Sequence, residues 1–495
     1  MKRYLMFLTA ALLLLVFVFG ARQARAASAV VGNGSPASCT EAAFDSALAT
    51  AASGGGTITF ECGSAVKTIL LSTTKFITGG NVTINGNNRI VLDANNAVRH
   101  FFVGSGITLQ LQNITLREGA SAVGGGAIEA SGAHIVLESV TLLNNYAPNQ
   151  GGAIYCYIGT DGTLTVNNSL FKNNISNNGG AIYNDGCTTT INNTTFQANQ
   201  AATAGGGIHN AFNADLKANG SVFQGNVALD GGGLFNDTGS AITLNAVTFR
   251  ANSGGHGGGL ENSGAITVSN SLFDLNIVTG SGGGLWNLNG IVRLDRTTVS
   301  NNTAYEGGGV NSYGSQLEML NVNIVGNVAS GSHGGGIYHG GGVAYITNAT
   351  ISGNQASDSA ANGGGIYQNS DDNLTLMNVT LANNQAGLFG GGFYHYGRYA
   401  VFTNVTLANN LAGAAGDAIY EASPKTPSNP GVIQTINSVI FGSTNNCDGT
   451  IFQSLGHNLS QGSCADLIDP TDQSNYPGDL LVGSLAFNGG AFPMK

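Results

Sequence analysis

The sequence predicts an all-β fold, an elongated parallel β-helix, and three observations carry that prediction. A unit made of a glycine run, a short apolar step and an alternating strand recurs along most of the chain, seen cleanly as GGGLFNDTGSAITLNAVTFRAN at residues 231–252. Within it, pairs such as Ile242 and Leu244, or Ile266 and Val268, alternate with polar residues. A period of two suits a strand with one buried face, whereas a helix needs spacings of three and four. Asparagine, the third observation, returns at fixed places in the unit.

The period is counted from the apolar residue after each glycine run: Ile128, Ile154, Ile182, Ile208, Leu234, Leu260, Leu285, Val310, Ile337, Ile366, Phe393 and Ile419. Successive anchors lie 25 to 29 residues apart, a spacing that marks stacked units, each one coil of a solenoid. Two or three short strands per coil, bent by Gly and Asn, then pair with their copies one coil above at roughly 4.8 Å.

Three residues beyond the apolar residue that closes each second strand stand Asn145, Asn174, Asn199, Asn226, Asn252, Asn276, Asn302, Asn327, Asn354, Asn384 and Asn410. Three residues before it stand Asn168, Asn193, Asn270, Asn321, Asn348, Asn378, Asn404 and Asn437. Stacked amides hydrogen-bond along such a column and satisfy the backbone of the bend, so a structural role is expected ahead of ligand binding.

Composition agrees with a solenoid. Charged residues make up 9% of the 495, against roughly 25% in average proteins. Like charges on successive coils would repel, while Asn, Thr, Ser and Tyr stack without that cost. The N-terminus has a basic start at Lys2 and Arg3, an apolar core over residues 5–19 and the small-residue site Ala24-Arg25-Ala26. It reads as a secretory signal peptide, residues 1–26, with an apolar core short for a membrane span. Its removal leaves 13 basic against 27 acidic residues, a formal charge of −14, which argues against nucleic acid and anionic membranes as partners. The expected product is a secreted or cell-surface monomer with no transmembrane segment and no cofactor.

Six cysteines in an exported chain form an even set, for which fifteen connectivities are allowed. The most local pairing joins Cys39 with Cys62, Cys156 with Cys187, and Cys447 with Cys464. The middle pair is the looser fit, because Cys187 lies three residues past the position equivalent to Cys156. No CxxC or His/Cys cluster suggests a metal.

In chain order, residues 27–62 hold a linker and then Ser38-Cys39-Thr40-Glu41, which reads as a capping box. The helix it opens runs through about Ala52, with Ala43, Phe44, Ala47 and Leu48 on its apolar face, and serves as a lid that shields the edge of the first coil. Residues 63–441 form the β-helix, irregular at first and regular from about Gly124. Residues 442–495, richer in Asp, Pro and Gly, read as a cap tied by Cys447 and Cys464, not as another coil.

GGAI at residues 151–154 and 179–182, with FKNN, FQAN, FQGN, FRAN and FDLN, resembles the repeats of polymorphic outer-membrane proteins. The segment CTEAAFDSALATAASGGGTITFECG and the tail GHNLSQGSC…DLLVGSLAFNGG resemble choice-of-anchor Q proteins, whose fold is the right-handed β-helix of the pectin-lyase-like class. The resemblance, with the general preference for right-handed crossovers, implies a right-handed coil and an exported surface protein, and names no substrate. Autotransporter relatives continue into a membrane barrel and choice-of-anchor Q chains into a sorting signal. This sequence stops at Phe492-Pro493-Met494-Lys495 after NGG, so either the anchor is absent or the sequence is truncated.

The residue after each anchor points away from it, hence outward. Eight of these are aromatic: Tyr155, Tyr183, Phe235, Trp286, Tyr338, Tyr367, Tyr394 and Tyr420. Such a column either stacks on itself and stiffens the rod or, if exposed, offers ring faces to sugars or a protein surface. Catalytic constellations are harder to find. Arg293 and Glu318, and Arg250 and Asp274, occupy equivalent outward positions one coil apart and read as surface ion pairs. Glu261 stands alone among the aromatics, and His339 and His395 are separated by the coil carrying Gln368. The Asn-x-Thr/Ser triplets, such as those at Asn113 and Asn378, follow from Asn preceding Thr-rich strands. The sequence therefore points to an exported scaffold or adhesin-like protein that binds an extracellular glycan or a host or neighbour-cell protein along the aromatic column. No catalytic residue is assigned, and a polysaccharide lyase or glycoside hydrolase is the alternative.

Overall fold

A computed structural model of the chain describes residues 27–157, 162–314, 316–422, 431–449, 452–462, 464, 467–474 and 476. The expected signal peptide and the closing DLLVGSLAFNGG segment lie outside the described residues. The chain forms an all-β parallel solenoid of about 16 turns, about 75 Å of stacked strands at the usual inter-strand spacing.

The coil opened by Ile154 shows the plan. An anchor strand, Ile154–Tyr157, leads into a long limb, Thr163–Asn167, then a short limb, Leu170–Lys172, and a bridge strand, Ile175–Asn178, before the next anchor strand at Ile182–Asp185. Among the described residues the anchor strands stack into a 15-stranded sheet and the bridge strands into a 10-stranded one, while the two limbs belong to a third sheet of 29 strands. The bridge strand is a fourth segment where two or three were expected. It is often only two residues long, as at Gln355–Ala356 and Gln385–Ala386, too short to show an alternation.

Corners are made by residues in the left-handed region. Asn168 (φ 51°) separates the long limb from the short one and Asn173 (φ 55°) ends the short limb; asparagine enters this region more readily than other side chains. The glycine corner has a double cause. Gly231 has φ 60°, and a Cβ on Gly232 would lie 2.7 Å from the carbonyl oxygen of Gly258 one coil on.

The interior follows the alternation. Phe171, Phe196, Phe223, Phe249 and Phe273 are fully buried and stack with centroids 4.7 to 4.8 Å apart, within 14° of parallel. Beside them runs the asparagine ladder, with each Nδ2 donating to the Oδ1 of the next coil at 2.8 to 3.0 Å from Asn145 to Asn410. Asn252 shows the full set. Its Oδ1 accepts from the backbone N–H and the Nδ2 of Asn226, and its Nδ2 donates to Phe223 O and Asn276 Oδ1. A buried amide is tolerated here because all its groups are paired.

All three cysteine pairs are disulfides: Cys39–Cys62, Cys156–Cys187 and Cys447–Cys464. The two ends differ from expectation in instructive ways. The helix spans Glu41–Ala52, but its N-cap is Thr40, whose side chain accepts from the Ala43 N–H, while Ser38 belongs to a preceding 3-10 turn. Glu41 is thereby freed to bind Ser72, Thr73 and Lys75; burial opposes its charge, but the bonds from Lys75 and Ser72 prevail and hold its carboxyl at about 2. Phe44, fully buried, packs on Phe60 and Phe101 and closes the end of the core. The segment expected as a linker contains a strand, Ala29–Gly32, paired in parallel with Gly56–Glu61. At the other end, strands at Cys447–Asp448, Phe452–Ser454 and Leu459–Ser460 pair in register with the preceding coil. The tail therefore adds a coil that had been expected as cap only. Cys447 takes the anchor place there, across from Ile419, so neither a glycine run nor a large aliphatic residue marks it.

Candidate functional site

The aromatic column lies on the outer side of the anchor sheet, in register from coil to coil: Tyr338, Tyr367, Tyr394 and Tyr420 occupy equivalent places. Their rings stack at 5.0, 4.9 and 5.5 Å. Of the two readings of this column, the geometry follows the one in which the rings stack on one another. Tyr183, Tyr338, Tyr367 and Tyr394 are 4 to 9% exposed, and Tyr155, Phe235, Trp286 and Tyr420 are half-buried. Strand alternation puts these rings outside the sheet, yet the glycine corner of each coil and the loop before it lie across them. His256 stacks on Trp286 at 4.4 Å, His333 on Tyr367 at 4.4 Å and Phe389 on Tyr420 at 4.2 Å. Burial pushes the hydroxyls of Tyr183 and Tyr394 up to about 12. The ring faces are occupied by other rings, which leaves little for a sugar to stack on.

The expected ion pairs form, Arg293 to Glu318 at 2.8 Å and Arg250 to Asp274 at 3.8 Å. Asp274 also accepts from Ser300 and Asn301. Among the described residues no group of three or more His, Cys, Asp or Glu is placed to hold a metal ion.

Two polar features acquire a buried setting that the sequence did not reveal. The second residue after each anchor faces the core, where Asn184, Asn210, Asn236, Asn262 and Asn287 form another buried amide chain, with Nδ2 to Oδ1 distances of 2.7 to 3.0 Å. Farther along the same column His339, Gln368 and His395 are in register and buried, and His395 Nδ1 pairs with Glu421 in the interior. The signal was available, since all these residues stand two places after an anchor. The other feature is Glu261, 3% exposed, which sits between Phe235 and Trp286. Burial, and then the nearby Asp230 carboxylate, raise its carboxyl to about 9 against a bond from the Gly231 N–H.

The open surface lies on the limbs. At the corner between them the asparagine ridge and the first outward residue of the short limb border a furrow that is open in two places. It widens near the N-terminal end, where Asn113, Thr115, Ser139 and Thr141 contribute to a cavity of about 170 Å³. It widens again along the later coils, where Asn348, Asn378, Asn404, Thr380 and Thr406 line about 370 Å³. On the long limb Leu320, Tyr345 and Met377 are 43, 46 and 41% exposed, and Met377 immediately precedes the cavity residue Asn378.

The Chlamydia polymorphic membrane protein repeat matches residues 139–157 and 168–185. Those stretches hold the ladder residues Asn145 and Asn174, the glycine corners and the anchors Ile154 and Ile182, so the matched signature is the structural frame of the coil. Among curated proteins no sequence matches. Among solved structures the chain is similar to the crystal structure of PfbA, a surface adhesin of Streptococcus pneumoniae, with 12% identity, a TM-score of 0.34, and coverage of 71% of this chain and 91% of that one.

Proposed function

We propose that this protein is a secreted or surface-displayed recognition rod of adhesin type, whose partner is an extracellular glycan or a protein of a host or neighbouring cell. The observation that carries the reading is the contrast between a repeating interior and a varied exterior. Ladder, phenylalanine stack and glycine corners recur with little change, while a single outward column of the long limb reads Lys217, Thr243, Thr267, Arg293, Glu318, Tyr345 and Thr375 on consecutive coils. Such a frame presents different chemistry on each coil without disturbing the fold, as solenoid binding surfaces do. The matching repeat, three disulfides suited to an oxidising compartment and the signal-peptide pattern support export. The resemblance of both ends to choice-of-anchor Q proteins supports display at a surface.

A lyase or hydrolase has one feature on its side, the buried Glu261, whose carboxyl burial and the nearby Asp230 hold well above the usual carboxylate range. A polymer would have to reach a carboxyl that is 3% exposed, and the outward carboxylates Asp274 and Glu318 are tied to arginines. Catalysis needs an acid and a base converging where substrate can sit. The test couples the full chain to beads and measures both attachment to cells and turnover of acidic and neutral polysaccharides. Saturable attachment without turnover is the expected result; turnover of any polymer would overturn the reading.

A further inference from the structure

We infer that the furrow along the later coils is a binding site for a linear, neutral glycan chain, an inference that rests on the recognition reading and specifies where and what the rod binds. The ridge of the furrow is Asn348, Asn378, Asn404 and Asn437, each with φ between 50 and 55°. Their side chains hydrogen-bond in series, Asn378 to Asn348 at 3.0 Å, Asn404 to Asn378 at 2.9 Å and Asn437 to Asn404 at 2.6 Å. An amide offers two N–H groups and two lone pairs. Each inner member of the row uses one of each on its neighbours and retains one of each to face outward.

Thr380 and Thr406 add hydroxyls on the opposite side of the same cavity. Both rows repeat at one coil, roughly 4.8 Å, so four ridge residues extend over about 14 Å, the reach of a short linear oligosaccharide. The lip is apolar. Leu320 and Met377 immediately precede ridge residues Asn321 and Asn378, two coils apart in one outward column, and Tyr345 stands on the coil between them.

An amide and hydroxyl row beside exposed apolar and aromatic side chains matches a pyranose chain, which has hydroxyl edges and apolar C–H faces. Among the described residues no charged side chain lines the cavity, and the chain carries a net charge of −10, so an anionic polymer would find little counter-charge there. An extended peptide pairs with a free sheet edge, and the furrow lies on a sheet face whose strands are already paired on both sides. The N-terminal widening is lined by the charged Arg89 and by the exposed Val66, which makes it a control.

The test titrates the full chain with cello-, malto- and manno-oligosaccharides from disaccharide to hexasaccharide, with polygalacturonate and an extended polar peptide as comparators. Affinity should rise with length, level off near the tetrasaccharide and be absent for the comparators. Two double variants remove the contacts, Asn378→Gly with Asn404→Gly, where glycine keeps the left-handed corner, and Tyr345→Ala with Met377→Ala. Each should weaken binding by about tenfold or more, while Asn113→Gly leaves it unchanged. Absence of binding to every neutral oligosaccharide, binding only to a comparator, or retention of affinity in both double variants would each overturn the inference. If the double variants still attach to cells as wild type does, the glycan furrow falls and the recognition rod stands. If wild type attaches to nothing, both fall.

Discussion

The two asparagine columns use one residue type at two places in the same coil, and they differ in nearly everything else. The inner column, from Asn145 to Asn410, is buried and each amide bonds to backbone as well as to the next amide. The outer column, Asn348 and its equivalents, is half-buried to exposed and bonds chiefly to its own kind. The inner residue is there for its hydrogen bonds. The outer residue is there for its backbone conformation, and its amide remains available to a partner. A repeat thus separates stability from recognition within one turn of chain.

The comparison predicts a graded series. Among the asparagine substitutions Asn252→Ala should have the largest effect, about 3 kcal/mol, because it removes the acceptor of the buried Asn226 N–H and of Asn226 Nδ2; urea denaturation followed by circular dichroism measures it. Glu261 gives an effect of a different kind, read as a slope against pH. Its carboxyl holds a proton up to about 9 in the native state, against an ordinary value of 4.5. Between those values the native state binds a proton that the unfolded chain has lost. Stability is therefore full below about 4.5 and falls as pH rises towards 9, by at most about 1.4 kcal/mol per pH unit. Glu261→Gln should flatten the profile of urea midpoints over that window, and an unchanged slope would show that the carboxyl is not held protonated.

Smaller effects belong to the outer column. Asn378→Ala places an ordinary side chain at φ 55° and should cost about 1 kcal/mol. Asn378→Gly should stay within about 0.5 kcal/mol of wild type, and a loss as large as that of Asn252→Ala would erase the distinction between the columns.

What was legible in the sequence followed from repetition. Anchors, the inner ladder and the glycine corners recur with fixed spacing, so they could be placed before any coordinate was known. The bridge strands could not, since segments such as Gln355–Ala356 or the glycine-containing Ser253–His256 carry no alternation. The last coil escaped notice because Cys447 stands where an aliphatic anchor was sought. For the aromatic column, alternation told correctly that Tyr367 leaves the sheet on its outer side, but it could not tell that Tyr338, Tyr394 and His333 cover the ring. Thr40 was two residues from the expected cap because Ser38 fits the same pattern. The furrow arises from the angle between two limbs, a tertiary property that the Asn-x-Thr triplets alone do not reveal.

The most direct test of an interior held by coil-to-coil amide bonds is hydrogen exchange at one backbone group. The Asn226 N–H donates to the Oδ1 of Asn252 at 2.9 Å. In wild type it should exchange only through global unfolding. In Asn252→Ala its protection should collapse while that of the neighbouring Phe223 and Phe249 amides falls no further than the loss of overall stability requires. Full protection of the Asn226 N–H in the variant would contradict the claim, since another group would then be satisfying the bend.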